Sequence, residues 1–193
     1  TTDLSSLGYF SYGASPIPVP LLEAGIARLG CQFMQVYGMT ETWGGVVALP
    51  PEDHDPARRH LLSSAGKAMP GVELRIRGTD GELLGPGQTG EVEVRSPSNM
   101  LGYWQLEEAT RTVLSDDGWL KTGDAGMMDA EGYLYIQDRI KDMIITGAEN
   151  VYPAEVESVI YGHPQVADVA VIGVPDAKWG EAVKAIVVPA PGE

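Results

Sequence analysis

The sequence predicts a mixed α/β and α+β fold: the end of an α/β layered domain, a small antiparallel β subdomain, and a partial small α+β domain. Three observations predict these parts. A strand, a turn, a helix and a second strand open the chain, which is the α/β pattern. In the middle, apolar residues alternate with polar ones around turn signals, which is typical of antiparallel strands. A strand, a helix and two further strands then close the chain with few polar residues between them.

The first segment is predicted to hold strands at residues 9–12 and 32–37. Apolar residues between 21 and 29 recur at helical spacing, and Gly30 can cap the end of that helix. In α/β folds, ligands bind at the carboxyl ends of the strands. We therefore expect the turn at 13–15 and the segment after the second strand to lie at binding ends, on one rim of the sheet.

The middle segment begins with a polar stretch at 50–69 that we expect to be a loop. Beyond it, strict alternation around glycine-containing turns predicts a small antiparallel sheet or barrel. The predicted elements are strands at 72–76, 91–94, 119–124 and 133–136, a hairpin turn at 78–81, and a helix at 106–114.

The last segment is predicted to hold a helix that opens at Pro153, because proline suits the first helical position, and that ends before Gly162. Strands are predicted at 166–174 and 183–188, and a domain boundary near 138–141. The chain opens without methionine and stops just past a strand. We expect it to be a fragment of a longer chain.

The composition excludes several classes of function. The 193 residues carry 27 acidic and 13 basic side chains, a net charge of −14, which disfavours binding to nucleic-acid phosphates. A single cysteine, Cys31, excludes a disulfide framework and a cysteine zinc cluster, and the three histidines lack ligand spacing. There is no apolar run of about 18 residues and no secretory leader, so we expect a soluble cytoplasmic protein without a membrane segment.

Two segments place polar side chains just after predicted strands. In Tyr37-Gly38-Met39-Thr40-Glu41, the hydroxyl and the carboxylate can bind a phosphate oxygen and Mg²⁺, or Thr40 or Glu41 can cap the next turn. In the segment GWLKTGD, Asp124 can accept both hydroxyls of a ribose, or it can belong to an ordinary turn. Taken alone, neither motif decides between these alternatives.

Two later segments carry similar ambiguity. Asp138-Arg139-Ile140-Lys141-Asp142 is a functional hinge or a solvated loop with surface ion pairs, in which Arg139 offers planar donors and Asp138 holds it in place. In residues 147–157, a glycine permits close approach to a ligand before a proline that opens a helix, or the segment is an ordinary turn and cap.

In this order and spacing, the segments resemble the signatures of the adenylate-forming superfamily, which includes acyl-CoA synthetases, firefly-type luciferases and peptide-synthetase adenylation domains. The matches are YGMTE, GWLKTGD and DRIKDMIITGAENVYPAEVE, and GASP at 13–16 resembles the adenine-contacting turn. The resemblance covers essentially the whole chain. It implies that residues 1–140 are the C-terminal part of the large AMP-binding domain, and that 141–193 are an incomplete small C-terminal domain after the hinge.

The resemblance also implies roles for the matching residues. Thr40 would contact the α-phosphate of ATP, Glu41 would help to bind Mg²⁺, and Lys141 would be the hinge about which the small domain swings. The ATP or AMP contacts it implies are Gly13, Ala14, Ser15, Tyr37 and Gly38 for the adenine nucleotide, and Asp124 and Arg139 for the ribose hydroxyls.

Two further sets are implied for the other substrates. The loop from Gly147 through Glu149 to Asn150 would approach the active site for thioester formation and line the tunnel for coenzyme A. Trp43, Gly44 and Gly45 fall where the acyl pocket is built, and the indole can either close that pocket or stack on a substrate.

The activity implied is a fatty or aromatic acid–CoA ligase. A carboxylate attacks the α-phosphorus of ATP to give acyl-AMP and pyrophosphate, and coenzyme A then displaces AMP. The chain shows neither the family's glycine-rich phosphate loop nor its catalytic lysine, so we expect no adenylation by the fragment alone. The alternatives are an adenylation domain that loads a carrier protein, and a non-catalytic binding fragment. Exposed cut surfaces would favour a homo-oligomer.

Overall fold

The computed structural model describes residues 3–147 and 149–192 of the chain. The chain divides into two compact units. The first unit comprises Thr1–Thr122 and Gly126–Ile136, and the second comprises Gly123–Ala125 and Gln137–Glu193. Within the described ranges, no helix is both long and apolar enough to span a membrane.

The first unit opens with the predicted α/β segment. Strands β1 and β2 are parallel, with Gly13 opposite Val36, and the helix between them ends at Gly30 in the left-handed conformation (φ 63°). The remaining strand pairs of this sheet are antiparallel. The elements are β1 (Tyr9–Gly13), α1 (Val19–Leu29), β2 (Gln32–Met39), β3 (Gly44–Leu49) and β4 (Lys67–Ala68), in the sheet order β1-β2-β3-β4.

The stretch predicted as a polar loop is more ordered than expected. It contains two 3-10 helices, Pro51–Asp53 and Pro56–Ser63, because its polar side chains bond locally and inward. The buried carboxylate of Asp53 accepts hydrogen bonds from Arg58 Nη1 at 2.6 Å and from the Tyr133 hydroxyl at 2.9 Å. The Tyr133 bond ties the stretch to the residue that directly precedes the strand Leu134–Arg139.

The second sheet of this part of the chain has the order β5-β6-β7-β8. A small antiparallel sheet or barrel was predicted here, and β5 and β6 pair antiparallel. The predicted hairpin turn at 78–81 forms. The chain after this turn makes only an isolated β-bridge, between Arg77 and Leu83, so that β6 begins later, at Gly90. The elements are β5 (Glu73–Arg77), β6 (Gly90–Arg95), α2 (Glu107–Val113), β7 (Leu120–Met128) and β8 (Leu134–Arg139).

One hydrophobic core joins these two sheets within the first unit. Its buried side chains come from β3, from β5 and β6, from β8 and from the residues just before β4, so the sheets are held together by removing those side chains from water. The members of this cluster are Val46, Val47, Ala65, Ile76, Val92, Val94 and Leu134.

A set of ion pairs between arginine and glutamate side chains covers one face of β5 and β6. The buried carboxylate of Glu93 accepts from Arg75 Nε at 2.5 Å and from Arg77 Nε at 2.8 Å. The Trp119 ring lies near two guanidinium groups, that of Arg75 at 3.9 Å and that of Arg95 at 4.9 Å. Arg75 thus lies over an indole and pairs with a buried carboxylate at once.

The second unit is a small α+β arrangement, as predicted. Its helix opens at Pro153, and the long strands β11 and β12 pair antiparallel beside it. Helix α3 packs on β11, where Glu157 accepts a hydrogen bond from the Val171 amide at 2.7 Å. The elements are β9 (Ile144–Thr146), β10 (Glu149–Val151), α3 (Pro153–Tyr161), β11 (Val166–Asp176) and β12 (Gly180–Pro189), in the order β10-β9-β12-β11.

Candidate functional site

The turn between β2 and β3 presents Thr40 and Glu41. The residues Thr40–Thr42 form one 3-10 turn, with Thr40 exposed and Glu41 half-buried. The buried hydroxyl of Thr42 accepts from the Met39 amide at 3.0 Å and lies 2.7 Å from the carbonyl oxygen of Gly44. Thr42 therefore takes the capping role considered for Thr40 or Glu41.

The Glu41 carboxylate has a partner that the sequence did not indicate. The Tyr103 hydroxyl donates to Glu41 Oε1 at 2.8 Å, and the Met100 amide donates to the Glu41 carbonyl at 2.7 Å. Tyr103 lies in the connection between β6 and α2, 62 residues further along the chain. No local pattern marks such a contact, because it depends on how the two segments fold together.

The turn after β1 lies at the same edge of the sheet as this site. Because β1 and β2 are parallel, their carboxyl ends share one edge, as expected for the turn at 13–15 and the segment after Tyr37. A Cβ on Gly13 would meet the Val36 carbonyl oxygen at 2.1 Å, so only glycine fits there. Ala14, in the left-handed region at φ 70°, and Ser15 are exposed.

A hydrogen-bond chain anchors the strand that leads into this turn. His54 Nδ1 lies 2.9 Å from the Pro50 carbonyl oxygen, and its Nε2 lies 3.0 Å from the Tyr12 hydroxyl. A carbonyl can only accept, so Nδ1 carries the proton and the Tyr12 hydroxyl donates to Nε2. Burial lowers the pKa of His54 and raises the pKa of Tyr12, which favours the neutral forms of both.

The residues proposed for the acyl pocket have partly structural explanations. A Cβ on Gly45 would meet Val36 Cγ1 at 2.3 Å, so close strand packing already requires a small residue there. Gly44 has a positive φ of 111° and open space around its Cα. The Trp43 indole is exposed on a left-handed backbone (φ 59°). The pocket role of these residues stays a prediction.

In the second unit, Asp124 and Arg139 form an ion pair. The carboxylate of Asp124 is buried, and Arg139 Nε donates to its Oδ1 at 2.9 Å. Asp138 acts differently from the expectation: its Oδ1 accepts the Arg139 backbone amide at 2.8 Å, and its Oδ2 accepts the Ala154 amide at 2.9 Å. It is Asp124 that holds the guanidinium group, while Asp138 ties β8 to the start of α3. Lys141 is exposed in the 3-10 turn Ile140–Asp142.

The loop proposed for thioester formation packs on a tryptophan. The Gly147 amide donates to the Trp179 carbonyl at 2.7 Å, and a Cβ on Gly147 would lie 3.0 Å from the Trp179 ring. Glu149 and Asn150 are exposed at the start of β10, and Ala148 lies outside the described residues. Trp179 was not singled out from the sequence.

The chemistry of these side chains fits a magnesium nucleotide. No cluster of three or more histidine, cysteine, aspartate or glutamate side chains among the described residues could hold a metal by itself. The Glu41 carboxylate and the Thr40 hydroxyl offer hard oxygen donors, and Mg²⁺ is usually bound by one or two carboxylates together with substrate phosphates. The Asp124 carboxylate can accept hydrogen bonds from ribose hydroxyls.

Comparison with known families gives two matches. The model for AMP-binding enzymes matches residues 1–104, and the model for the C-terminal domain of AMP-binding enzymes matches residues 155–193.

Two curated relatives cover nearly the whole chain. A fatty acid–[acyl-carrier-protein] ligase, ScoC, from Streptomyces coeruleorubidus is 48% identical over 99% of the chain and 36% of the relative. A feruloyl-CoA synthase from Amycolatopsis sp is 46% identical over 100% of the chain and 38% of the relative. The chain thus spans less than two-fifths of the length of these relatives.

Solved structures agree with the fold. The amide bond synthetase McbA from Marinactinospora thermotolerans superposes with a TM-score of 0.90 at 47% identity, over 100% of this chain and 39% of that one. The o-succinylbenzoate coenzyme A synthetase MenE from Bacillus subtilis, in complex with ATP and a magnesium ion, superposes with a TM-score of 0.83 at 40% identity, over 96% of this chain and 40% of that one.

Proposed function

We propose, from the premise that this chain belongs to the AMP-binding enzyme family, that the protein is an ATP-dependent acid–CoA ligase. It would activate a fatty or aromatic carboxylic acid as acyl-AMP and transfer the acyl group to coenzyme A. The observation that carries the proposal is the sheet edge where β1 and β2 end in parallel. That edge carries both the turn at 13–15 and the Thr40–Glu41 turn.

We assign the nucleotide contacts of the first unit to this edge. Gly13, Ala14 and Ser15 would line the adenine together with Tyr37 and Gly38, because the first three lie in the turn at this edge and the other two lie near the end of β2. Thr40 would contact the α-phosphate, and Glu41 would bind Mg²⁺ as part of its oxygen shell.

In the second unit, Asp124 and Arg139 would bind the ribose. The Asp124 carboxylate would accept hydrogen bonds from the two hydroxyls, and the Arg139 guanidinium group, which pairs with it at 2.9 Å, would donate to them.

The chemistry of the first half-reaction needs position and charge neutralisation rather than a nucleophile from the protein. The acid's carboxylate attacks the α-phosphorus, the bond to the pyrophosphate oxygen breaks, and pyrophosphate leaves. Bound Mg²⁺ neutralises phosphate charge, and the residues of the chain hold the base, the α-phosphate and the metal in register. Cys31 packs against an apolar cluster and takes no part.

The second half-reaction is assigned to the region after residue 140. Lys141 would be the hinge between a large domain ending at 140 and a small domain of 141–193. The loop at Gly147, Glu149 and Asn150 would admit coenzyme A, whose thiolate attacks the acyl carbonyl and displaces AMP. We assign this chemistry to a cytoplasmic enzyme. That the protein forms a homo-oligomer stays a prediction.

A second candidate is transfer to an acyl carrier protein. The specific observation in its favour is that a relative 48% identical to the chain is named as a fatty acid–[acyl-carrier-protein] ligase. In that case the same activation step precedes a different thiol acceptor.

The test is pyrophosphate release by the full-length protein over a panel of fatty and aromatic acids, with coenzyme A, with a carrier protein, or with neither. We expect one acid class to support release and multiple turnovers only with coenzyme A. Turnover only with the carrier protein would favour the second candidate. Absence of release with every acid would refute activation altogether.

A further inference from the structure

We propose that Tyr103 is a positioning residue for the metal site: its hydroxyl fixes Glu41 so that the second carboxylate oxygen faces the metal. The proposal rests on the assignment of Glu41 to Mg²⁺ in the proposed function, and it adds a residue that no sequence motif identified.

The first step is that Glu41 is held at several points. Its carbonyl accepts from the Met100 amide at 2.7 Å, and Oε1 accepts from the Tyr103 hydroxyl at 2.8 Å. The bonds of the buried Thr42 hydroxyl fix the turn on which Glu41 lies. The Tyr103 bond therefore fixes the side chain of a residue whose backbone is already fixed.

The second step is that Tyr103 is itself held. Its amide donates to Thr110 Oγ1 at 2.9 Å, and that hydroxyl lies 3.0 Å from the Leu106 carbonyl at the start of α2. Gly102 lets the chain approach α2, since a Cβ there would lie 2.9 Å from Thr110 Cγ2. The phenol is thus anchored to a helix rather than carried on a free loop.

The third step concerns the direction of the side chain. In the short stretch before α2, Leu101 and Trp104 are exposed, whereas Tyr103 is half-buried and points to Glu41. A carboxylate oxygen accepts and a phenol O–H donates, so Tyr103 is the donor to Glu41 in this bond.

The fourth step is the consequence for a metal. Mg²⁺ demands near-octahedral geometry, so a carboxylate that rotates freely binds it poorly. A phenol that occupies Oε1 selects one rotamer and leaves Oε2 for the ion. Partners that orient a ligating side chain in this way typically contribute about 10–100-fold to metal affinity.

The experiment measures the affinity of the full-length protein for a non-hydrolysable ATP analogue by calorimetry, in saturating Mg²⁺ and in EDTA. The ratio of the two affinities is the gain due to the metal. We expect Tyr103→Phe to reduce this gain by about 10-fold while leaving the affinity in EDTA unchanged. Circular dichroism checks that the variant is folded.

Three further variants make the result specific. Tyr161→Phe, on α3, removes a phenol from the second unit and is expected to change nothing. Glu41→Gln is expected to abolish the gain, and the double variant with Tyr103→Phe should be no worse than Glu41→Gln alone, because Tyr103 acts through Glu41.

The outcomes separate this inference from the proposed function. If Glu41→Gln keeps the full gain, the assignment of Glu41 to the metal fails. If Glu41→Gln loses the gain but Tyr103→Phe keeps it, only the positioning role is refuted. An equal loss for Tyr103→Phe in Mg²⁺ and in EDTA would likewise refute it, since the effect would then not depend on the metal.

Discussion

Replacing Gly38 by alanine tests whether strand packing sets the geometry of the candidate nucleotide site. Gly38 lies in β2, two residues before Thr40, and faces the start of β3. A Cβ there would lie 1.9 Å from the Gly44 carbonyl oxygen, 2.6 Å from its carbonyl carbon and 2.8 Å from Gly45 Cα. All three atoms belong to the backbone, so no side-chain rotation relieves the contact.

The size of the effect follows from the overlap. Real Cβ atoms essentially never come closer than 3.0 Å to such neighbours, so the strands must separate by 3.0 − 1.9 = 1.1 Å at this point. A misplacement of about 1 Å can lower a rate about 100-fold. Such overpacking also destabilises a protein by about 1–3 kcal/mol. We expect Gly38→Ala to cause both losses.

The assay is exchange of labelled pyrophosphate into ATP by the full-length protein, with urea unfolding alongside. Gly8→Ala is the matched control, because a Cβ at Gly8 meets nothing within 4 Å and its φ is not in the left-handed region. The reasoning is refuted if Gly38→Ala matches the control in both exchange rate and unfolding midpoint. A loss of stability without a loss of exchange would refute only the link to the nucleotide site.

Three more predictions concern stability. Glu93→Gln removes the negative charge that pairs with Arg75 and Arg77, and urea unfolding should show that the free energy of unfolding falls by about 3 kcal/mol. An unchanged midpoint would mean that these ion pairs do not contribute to stability. Leu134→Ala removes a fully buried side chain and should cost about 3 kcal/mol in the same assay, and a loss below 1 kcal/mol would contradict the described core. Because burial lowers the His54 pKa, the unfolded chain takes up a proton first as pH falls below about 6.5. Melting temperature should therefore fall with pH below that value, and less steeply in His54→Asn; equal slopes would contradict this.

Much of the fold could be predicted from the periodicity of apolar residues, because many elements have one side that faces solvent and one that faces the core. Local chemistry sets the end of α1 at Gly30 and the start of α3 at Pro153, and both positions were predicted. Strand β3 was missed because its glycine-rich start, Gly44 and Gly45, has no alternating pattern. The stretch at 50–69 was predicted to be a loop but contains two 3-10 helices and β4, because part of its order depends on a bond to Tyr133, which is distant in sequence.

Motifs of adjacent residues singled out Thr40, Glu41, Asp124 and Arg139 as candidate site residues. The ion pair between Asp124 and Arg139 was not predicted, because it joins residues on two strands. Tyr103 was missed because its contact to Glu41 depends on tertiary structure. The role predicted for Asp138 was only partly right. Its carboxylate accepts a hydrogen bond from the backbone amide of Arg139, whereas the guanidinium group of Arg139 pairs with Asp124.

The burial of Trp119 beside two guanidinium groups gives the chain two optical classes of indole. Trp119 is 7% exposed, whereas the other three tryptophans, Trp43, Trp104 and Trp179, are 88%, 87% and 50% exposed. A water-soluble quencher reaches the exposed rings and not the enclosed one. Fluorescence that survives the quencher therefore comes from Trp119, and it reports the opening of the β5–β6 sheet without any attached label.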